Sequence, residues 1–253
     1  YDPFGGIKDL KNRKIRIVSK AFSEDPLRLF RVARFKSKLA DFNFSISSDT
    51  LKVLKKMSSN GEINFLSGER IWDETYKALS YKNSSKYFST LKRVEALKYF
   101  DGLEKTYSKN LKFLKKMDNE RNMILEKWAI INLNSSEAEM LEKKIRVPKK
   151  ISNFRKTLNE VFKITRQKKI NEKKILSSLG QMNAFRNGLN LLNSLDLLHR
   201  LKIISTKQNK NWKFLLNALK KIKVETSGLN ADQIKEKIYS ERLKLIKDKK
   251  NDL

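Results

Sequence analysis

Along most of this chain the apolar residues recur every three or four positions, the spacing that gathers them on one face of an α-helix. The stretch AFSEDPLRLFRVARFKSKL, residues 21 to 39, is the densest case. Asp25 is a favourable residue just ahead of a helix and Pro26 suits the first helical position, so a helix is expected to start there. Leu29, Phe30, Val32, Ala33, Phe35 and Leu39 cover most of its circumference. Arg28, Arg31 and Arg34, spaced by three, form a ridge on the remainder that drifts by about 60° per step. Such a helix is mostly buried. A buried arginine is costly without a partner, so something anionic or polar is expected against the ridge.

Around this stretch the pattern predicts further elements. Gly5-Gly6 reads as a turn, IKDLKN as a helical turn, and Ile15-Arg16-Ile17-Val18 as a β-branched strand. Residues 41–48 form a short polar link; TLKVLKKM at 50–57 has helical spacing and Gly61 ends it. Ser67 opens the next helix, with Ile71, Trp72, Tyr76 and Leu79 apolar and Arg70 and Glu74 placed as an i,i+4 pair. From Asn83 onward helix follows helix: SSKYFSTLKRVEALKYF capped by Asn83, a break at Asp101-Gly102, then LKFLKKM and RNMILEKWAIINL. Residues 135–137 open another, and Pro148 starts one whose inner face is Ile151, Phe154, Leu158, Val161 and Phe162. The three prolines fall at loops or helix starts and the eight glycines are sparse. The fold class expected is mainly α, with a short α/β piece at the N-terminus. No repeat of fixed period is visible.

Charge changes this picture. The 253 residues include 57 Lys and Arg against 28 Asp and Glu, a formal net charge of +29, which points to a polyanionic partner. Heavy use of Lys, Asn and Ile, as in an AT-rich genome, raises the lysine count without any binding, and both causes fit. Lysine-rich pieces such as 167–174 and 244–250 read as solvated faces or tails. Without cysteine there is no disulfide framework or thiolate metal site. No run of about 18 apolar residues predicts a membrane span, and the start does not read as a signal peptide. A cytoplasmic location is expected.

The arginine ridge suggests a nucleotide. Asp25 and Arg28 lie one turn apart on the same side. Cytosine and adenine each offer an amine donor beside a ring-nitrogen acceptor, which a carboxylate and a guanidinium match. Uracil and guanine present the reverse order, so both bonds fail; such a pair discriminates by about 1–3 kcal/mol. Arg31 and Arg34 are then left for phosphates. On the ridge alone, pairing with a neighbouring carboxylate, Glu24 or Glu69, is an equally good account.

SEDPLRLFRVARF resembles the E-D-x-x-R motif of the class II tRNA nucleotidyltransferases, the CCA-adding enzymes and their bacterial poly(A) polymerase relatives. DPFGGIKDL at 2–10 is similar to that family's flexible-loop motif, and GERIWDETYKAL at 68–79 to its later motif with an E-R-I-x-x-E core. IRVPKKI at 145–151 and LNADQIKEKIYSERLKLIK at 229–247 are similar to tail segments of gamma-proteobacterial members. The resemblance implies a helical neck, body and tail: residues 1–20 ending the nucleotidyltransferase head, 21–100 holding the nucleotide-selecting helix and an RNA-binding fold, and 101–253 a helical, tRNA-binding body and tail, shortened relative to the family. It implies nucleotide binding by Asp25, Arg28, Arg31 and Arg34, supported by Asp2, Asp9, Glu24, Glu69 and Arg70. Asp2 and Asp9 fit loop capping equally well.

The substrates implied are ATP, CTP and tRNA, gripped at its acceptor stem and TψC arm, with Mg2+ as cofactor. Candidate basic surfaces are the Lys and Arg of 143–174 and 207–223, where Trp212 and Phe214 interleave and read as core. The family holds its metal with a D-x-D pair beside G-G-x-x-R-D and R-R-D motifs, none of which occurs here. No residue of this chain is therefore expected to be catalytic, and Mg2+ would belong to a head outside it. The chain, which begins at Tyr1 inside a family motif, reads as truncated, with the head upstream or separately encoded. Asp101, Asp118 and Asp232 stand apart, and the single histidine, His199, reads as a helix-face residue rather than a ligand of the phosphohydrolase domain some members carry. Two other functions remain open: a poly(A) polymerase, and a non-catalytic RNA-binding remnant or split subunit.

Overall fold

The computed structural model describes residues 1–167, 171–250 and 253, so the lysine-rich piece 167–174 falls partly outside the described residues. These hold thirteen α-helices and one two-stranded sheet, in two compact units, Tyr1–Arg155 and Lys156–Leu253. The mainly α expectation holds. None of the described helices is long and apolar enough to cross a membrane.

In the first unit, α1 (Gly6–Lys11) leads to β1 (Lys14–Ile15), which runs parallel to β2 (Ser45–Ile46), Lys14 opposite Ser45 and Ile15 opposite Ile46. The expected strand through Val18 is cut short. Ile17 N–H donates to the Thr50 hydroxyl (3.0 Å) instead of a strand, drawing the chain off the ladder. The expected link 41–48 supplies β2.

Helix α2 (Leu27–Lys38) buries Leu29, Phe30, Val32 and Ala33 against α4 (Gly68–Ser80) and α5 (Ser85–Arg93). Between them, α3 (Ser48–Ser59) starts on the Ser47 hydroxyl, which accepts from Thr50 N–H at 3.3 Å. It ends before Gly61, whose φ of +81° a side chain rarely tolerates. The expected long helix through Phe100 stops at Arg93. Val94, Ala96, Leu97, Tyr99 and Phe100 are all buried, and no single helical face takes five of seven consecutive residues. The chain turns at Glu95 (φ +60°) and continues as a 3-10 turn, Ala96–Tyr99. Phe100 then packs on Phe30 and Phe88, with ring centroids 6.2 Å from each.

Helices α6 (Leu103–Lys115), α7 (Ile124–Ile131) and α8 (Ala138–Lys144) complete this unit. Trp128 of α7 meets Trp72 of α4 edge to face at 5.1 Å and donates its indole N–H to Glu142 at 3.0 Å. Glu142 also receives two guanidinium bonds from Arg155 (2.9 and 2.5 Å), so no member of this buried group lacks a partner.

Helix α9 (Lys149–Ile164) begins after Pro148 as expected and carries the chain into the second unit. That unit contains α10 (Glu172–Gln181), α11 (Leu189–Arg200), α12 (Thr206–Lys221) and α13 (Ala231–Lys249). Leu195 and Leu198 of α11 and Trp212, Leu215 and Leu219 of α12 are buried there, while Phe214 is exposed. Trp212 is therefore core, as expected, and Phe214 is not: the two are two residues apart on a helix, so they face different directions.

Candidate functional site

A 3-10 turn, Lys20–Glu24, delivers the chain to α2. Asp25 follows with an extended backbone, and Pro26 already has helical dihedrals (φ −58°, ψ −23°). The Asp25 carboxylate accepts from Leu27 N–H (3.1 Å) and its carbonyl from Arg28 N–H (3.0 Å), so Asp25 starts the helix as its residue type predicts. The same carboxylate takes Arg70 Nη2 from the first turn of α4, at 3.2 and 3.0 Å. Arg28 turns back to donate to the Ala21 carbonyl (2.5 Å), with its guanidinium 5.9 Å from the Phe22 ring centroid.

The acceptor and the donor are thus held separately. Asp25 is fixed by Arg70 and its own helix, Arg28 by the turn that precedes the helix. Both side chains are only half-buried. Arg28 spends one of its five N–H groups on Ala21, and a carboxylate has about four acceptor positions, so each keeps capacity for an outside ligand. A planar ring bearing a donor beside an acceptor suits such a pair.

The two other arginines of the ridge diverge. Arg31 is exposed and makes no ion pair with the described residues. Arg34 is buried in an ion pair with Glu74 of α4 (Nε–Oε2, 2.5 Å), donates to the Tyr81 hydroxyl (3.3 Å) and stacks on Phe35. Burial pulls the Arg34 pKa down, and the bonds from Glu74 and Tyr81 more than restore it, leaving it above its usual value. The expected Arg70–Glu74 pair along α4 does not form. Arg70 reaches Asp25 and Glu74 reaches Arg34, so α4 is pinned to α2 by two crossed ion pairs. Sequence spacing had offered Glu24 or Glu69 as partners for the ridge; Glu74, forty residues on, carries no local signal.

Of the other candidates, Asp2 caps α1, its carboxylate accepting from Gly6 N–H (2.7 Å) and Ile7 N–H (2.8 Å). The Ile7 and Gly6 bonds hold its carboxyl below the ordinary 3.8. Asp9 pairs with Arg16 (2.9 Å), which also donates to the Phe4 carbonyl and so ties the first loop to the segment after β1. Glu69 pairs with Arg146 at 2.9 Å, and Glu24 is exposed at the end of the turn.

Among the described residues no three of His, Asp and Glu converge as metal ligands. Asp101, Asp118 and Asp232 each have structural partners: Lys144, Ser85 at the start of α5, and Lys235. Burial raises the Asp118 carboxyl above its ordinary value. His199 Nε2 lies 3.0 Å from the Thr206 hydroxyl, at the joint between α11 and α12.

A family described as "Probable RNA and SrmB- binding site of polymerase A" matches residues 43–106. The chain is 50% identical over 97 residues to the CCA-adding enzyme of Actinobacillus succinogenes, a match spanning 38% of this chain and 24% of that one. Among solved structures, a CCA-adding enzyme complexed with ATP aligns with 96% of this chain and 61% of its own, at 18% identity and a TM-score of 0.61. The Thermotoga maritima CCA-adding enzyme complexed with tRNA aligns with 95% and 62%, at 19% identity and a TM-score of 0.55. The matched stretch is thus about a quarter of the curated relative's length, and the shared fold extends over nearly all of this chain.

Proposed function

From a chain related in sequence and in fold to the class II CCA-adding enzymes, we propose that it is the nucleotide-selecting and tRNA-binding part of a tRNA nucleotidyltransferase that adds C, C and A to tRNA 3′ ends. The observation that carries this reading is the pair Asp25 and Arg28 at the start of α2, a carboxylate held by Arg70 and a guanidinium held by the Ala21 carbonyl. Asp25 accepts the exocyclic amine of cytosine or adenine while Arg28 donates to the adjacent ring nitrogen. Arg31, exposed and without an ion pair among the described residues, meets the triphosphate. Arg34 acts through Glu74, holding α2 against α4 so that the selecting pair stays in register.

In this proposal residues 1–20 close a nucleotidyltransferase head, 21–100 contain the selecting helix, and 101–253 supply tRNA-binding surface. The head, whether joined to this chain or separate, brings the carboxylates that bind Mg2+. Bound there, Mg2+ would supply activation of the 3′-hydroxyl and charge stabilisation of the triphosphate. The protein acts in the cytoplasm on ATP, CTP and tRNA, using basic side chains that read RNA shape rather than sequence.

The test is an assay in which the chain is joined to the head of the Actinobacillus succinogenes enzyme and given tRNA lacking its CCA end. Wild type is expected to incorporate CMP and AMP and to reject UMP and GMP. Asp25→Ala is expected to reduce that discrimination by roughly 5- to 150-fold, the range of one lost bidentate pair. Unchanged discrimination would reduce Asp25 to a helix cap and leave an RNA-binding module without nucleotide choice. Extension of a generic RNA primer with AMP alone, in place of CCA addition, would identify a poly(A) polymerase.

A further inference from the structure

The loop between α10 and α11 collects basic side chains for which the described residues offer no counter-ion. Its turn is tight: Arg186 N–H and Asn187 N–H both donate to the Asn183 carbonyl (3.2 and 3.0 Å). Arg242, from α13, lays its guanidinium on the Phe185 ring, 3.7 Å from the centroid. Its Nε is buried and has no hydrogen-bond partner, and burial alone moves its pKa down. Arg186, next along, is exposed and makes no ion pair with the described residues.

A third cation comes from α12. A Cβ added at Gly188 would stand 2.9 Å from Lys220 Nζ and 3.0 Å from the Ala184 carbonyl oxygen. The absent side chain is therefore what leaves room for the Lys220 ammonium against this loop. Lys220 makes no ion pair with the described residues. Elsewhere in the same unit lysines do find carboxylates: Lys213 meets Asp196 (2.5 Å), Lys235 meets Asp232 (2.9 Å) and Lys250 meets Glu172 (3.3 Å).

Cations gathered without an anion repel one another, and a partly desolvated guanidinium with an orphaned N–H is costly to keep. We propose that the loop 185–188, with Arg242 and Lys220, binds a backbone phosphate of RNA. Stacking on Phe185 fixes the plane of the Arg242 guanidinium before binding, so little side-chain freedom is lost when its two Nη groups, rather than the buried Nε, meet two phosphate oxygens. Lys220 supplies a point charge from the other side of the turn, and Arg186 adds to the attraction. A phosphodiester strand is favoured over a free phosphate because the site lies open on a chain of net charge +29. The inference rests on the RNA-binding reading above and adds to it a contact in the second unit.

The experiment measures tRNA binding by the full chain across a series of salt concentrations. Arg242→Gln combined with Lys220→Gln is expected to weaken binding about 10-fold or more and to lower the slope of log K against log salt by about one to two. Lys220→Gln alone, an exposed change that spares the fold, is expected to lower that slope by about one. Arg242→Lys keeps the charge and is expected to retain the slope. Lys235→Gln, on the same helix as Arg242 but already paired, is the control and should match wild type. A double variant with the affinity and slope of wild type overturns this site and leaves the functional reading intact. Failure of wild type to bind tRNA overturns both. Titration with inorganic phosphate followed by NMR shifts of residues 185–188 separates the sources. Millimolar saturation together with unchanged tRNA binding by the double variant would make free phosphate the ligand and overturn the RNA assignment.

Discussion

At the scale of single residues, the arginines of α2 have been given different work by their surroundings. Arg34 is sealed into an ion pair with Glu74, and both side chains are about nine-tenths buried. Removing one partner leaves an uncompensated buried charge, so Glu74→Gln is expected to destabilise the protein by roughly 3 kcal/mol, measured by denaturant unfolding. Arg70→Ala breaks a half-exposed bridge and should cost less than about 1 kcal/mol in stability, yet free the Asp25 carboxylate and blur nucleotide choice. A loss of stability without any change in selectivity would count against Arg70 as a positioning residue.

Lys127, fully buried, donates to the carbonyls of Tyr81 and Glu120, both at 2.6 Å, and burial lowers its pKa from 10.5 to about 8. Between pH 8 and 10.5 the unfolded chain holds a proton that the folded one has released. Stability is therefore expected to rise with pH across that window, and Lys127→Met should flatten the rise. A neutral amine still has two N–H donors for its two short bonds.

At the scale of elements, close approach decides which helices meet. The N-terminus of α4 touches the backbone at the end of α8 so nearly that a Cβ at Gly68 would stand 2.0 Å from the Lys144 carbonyl oxygen. Gly68→Ala must push the two apart, and a loss of about 1–3 kcal/mol is expected in thermal unfolding. The shift also moves Arg70, two residues on, so selectivity should fall with stability in the head-joined assay. At the end of α5, Glu95 holds a left-handed φ of +60°, with an exposed bridge to Lys55 as its compensation. Glu95→Gly is expected to be neutral or stabilising within about 1 kcal/mol, whereas Glu95→Val should be destabilising, since a β-branched residue resists that conformation.

For the whole molecule, charge dominates. A net charge of +29 on 253 residues has to meet a polyanion or be screened. Binding of the full chain to tRNA is expected to weaken by a factor of about 10³ or more between 50 and 200 mM salt, with little preference among tRNA sequences. A flat salt dependence would show that composition, not binding, explains the lysines. The chain divides into two compact units, Tyr1–Arg155 and Lys156–Leu253, and two unfolding transitions are expected by calorimetry.

The sequence by itself determined the helical class, the start of α2 and the burial of its apolar face. Those depend on local spacing and on the capping chemistry of Asp25 and Pro26, both written into consecutive residues. It also marked Asp25 and Arg28, one turn apart, as a matched acceptor and donor. What only the tertiary structure decided is where each charge finds its partner. Arg34 with Glu74, Asp25 with Arg70, and Arg242 on Phe185 join residues 40, 45 and 57 positions apart. The short β1 and the break at Glu95 have the same origin: a hydroxyl and a crowded core, brought from elsewhere in the chain, outweigh the local preference for strand or helix. Periodicity records which face of an element is buried. It carries no information about which other face lies against it, and that is what fixes the charges.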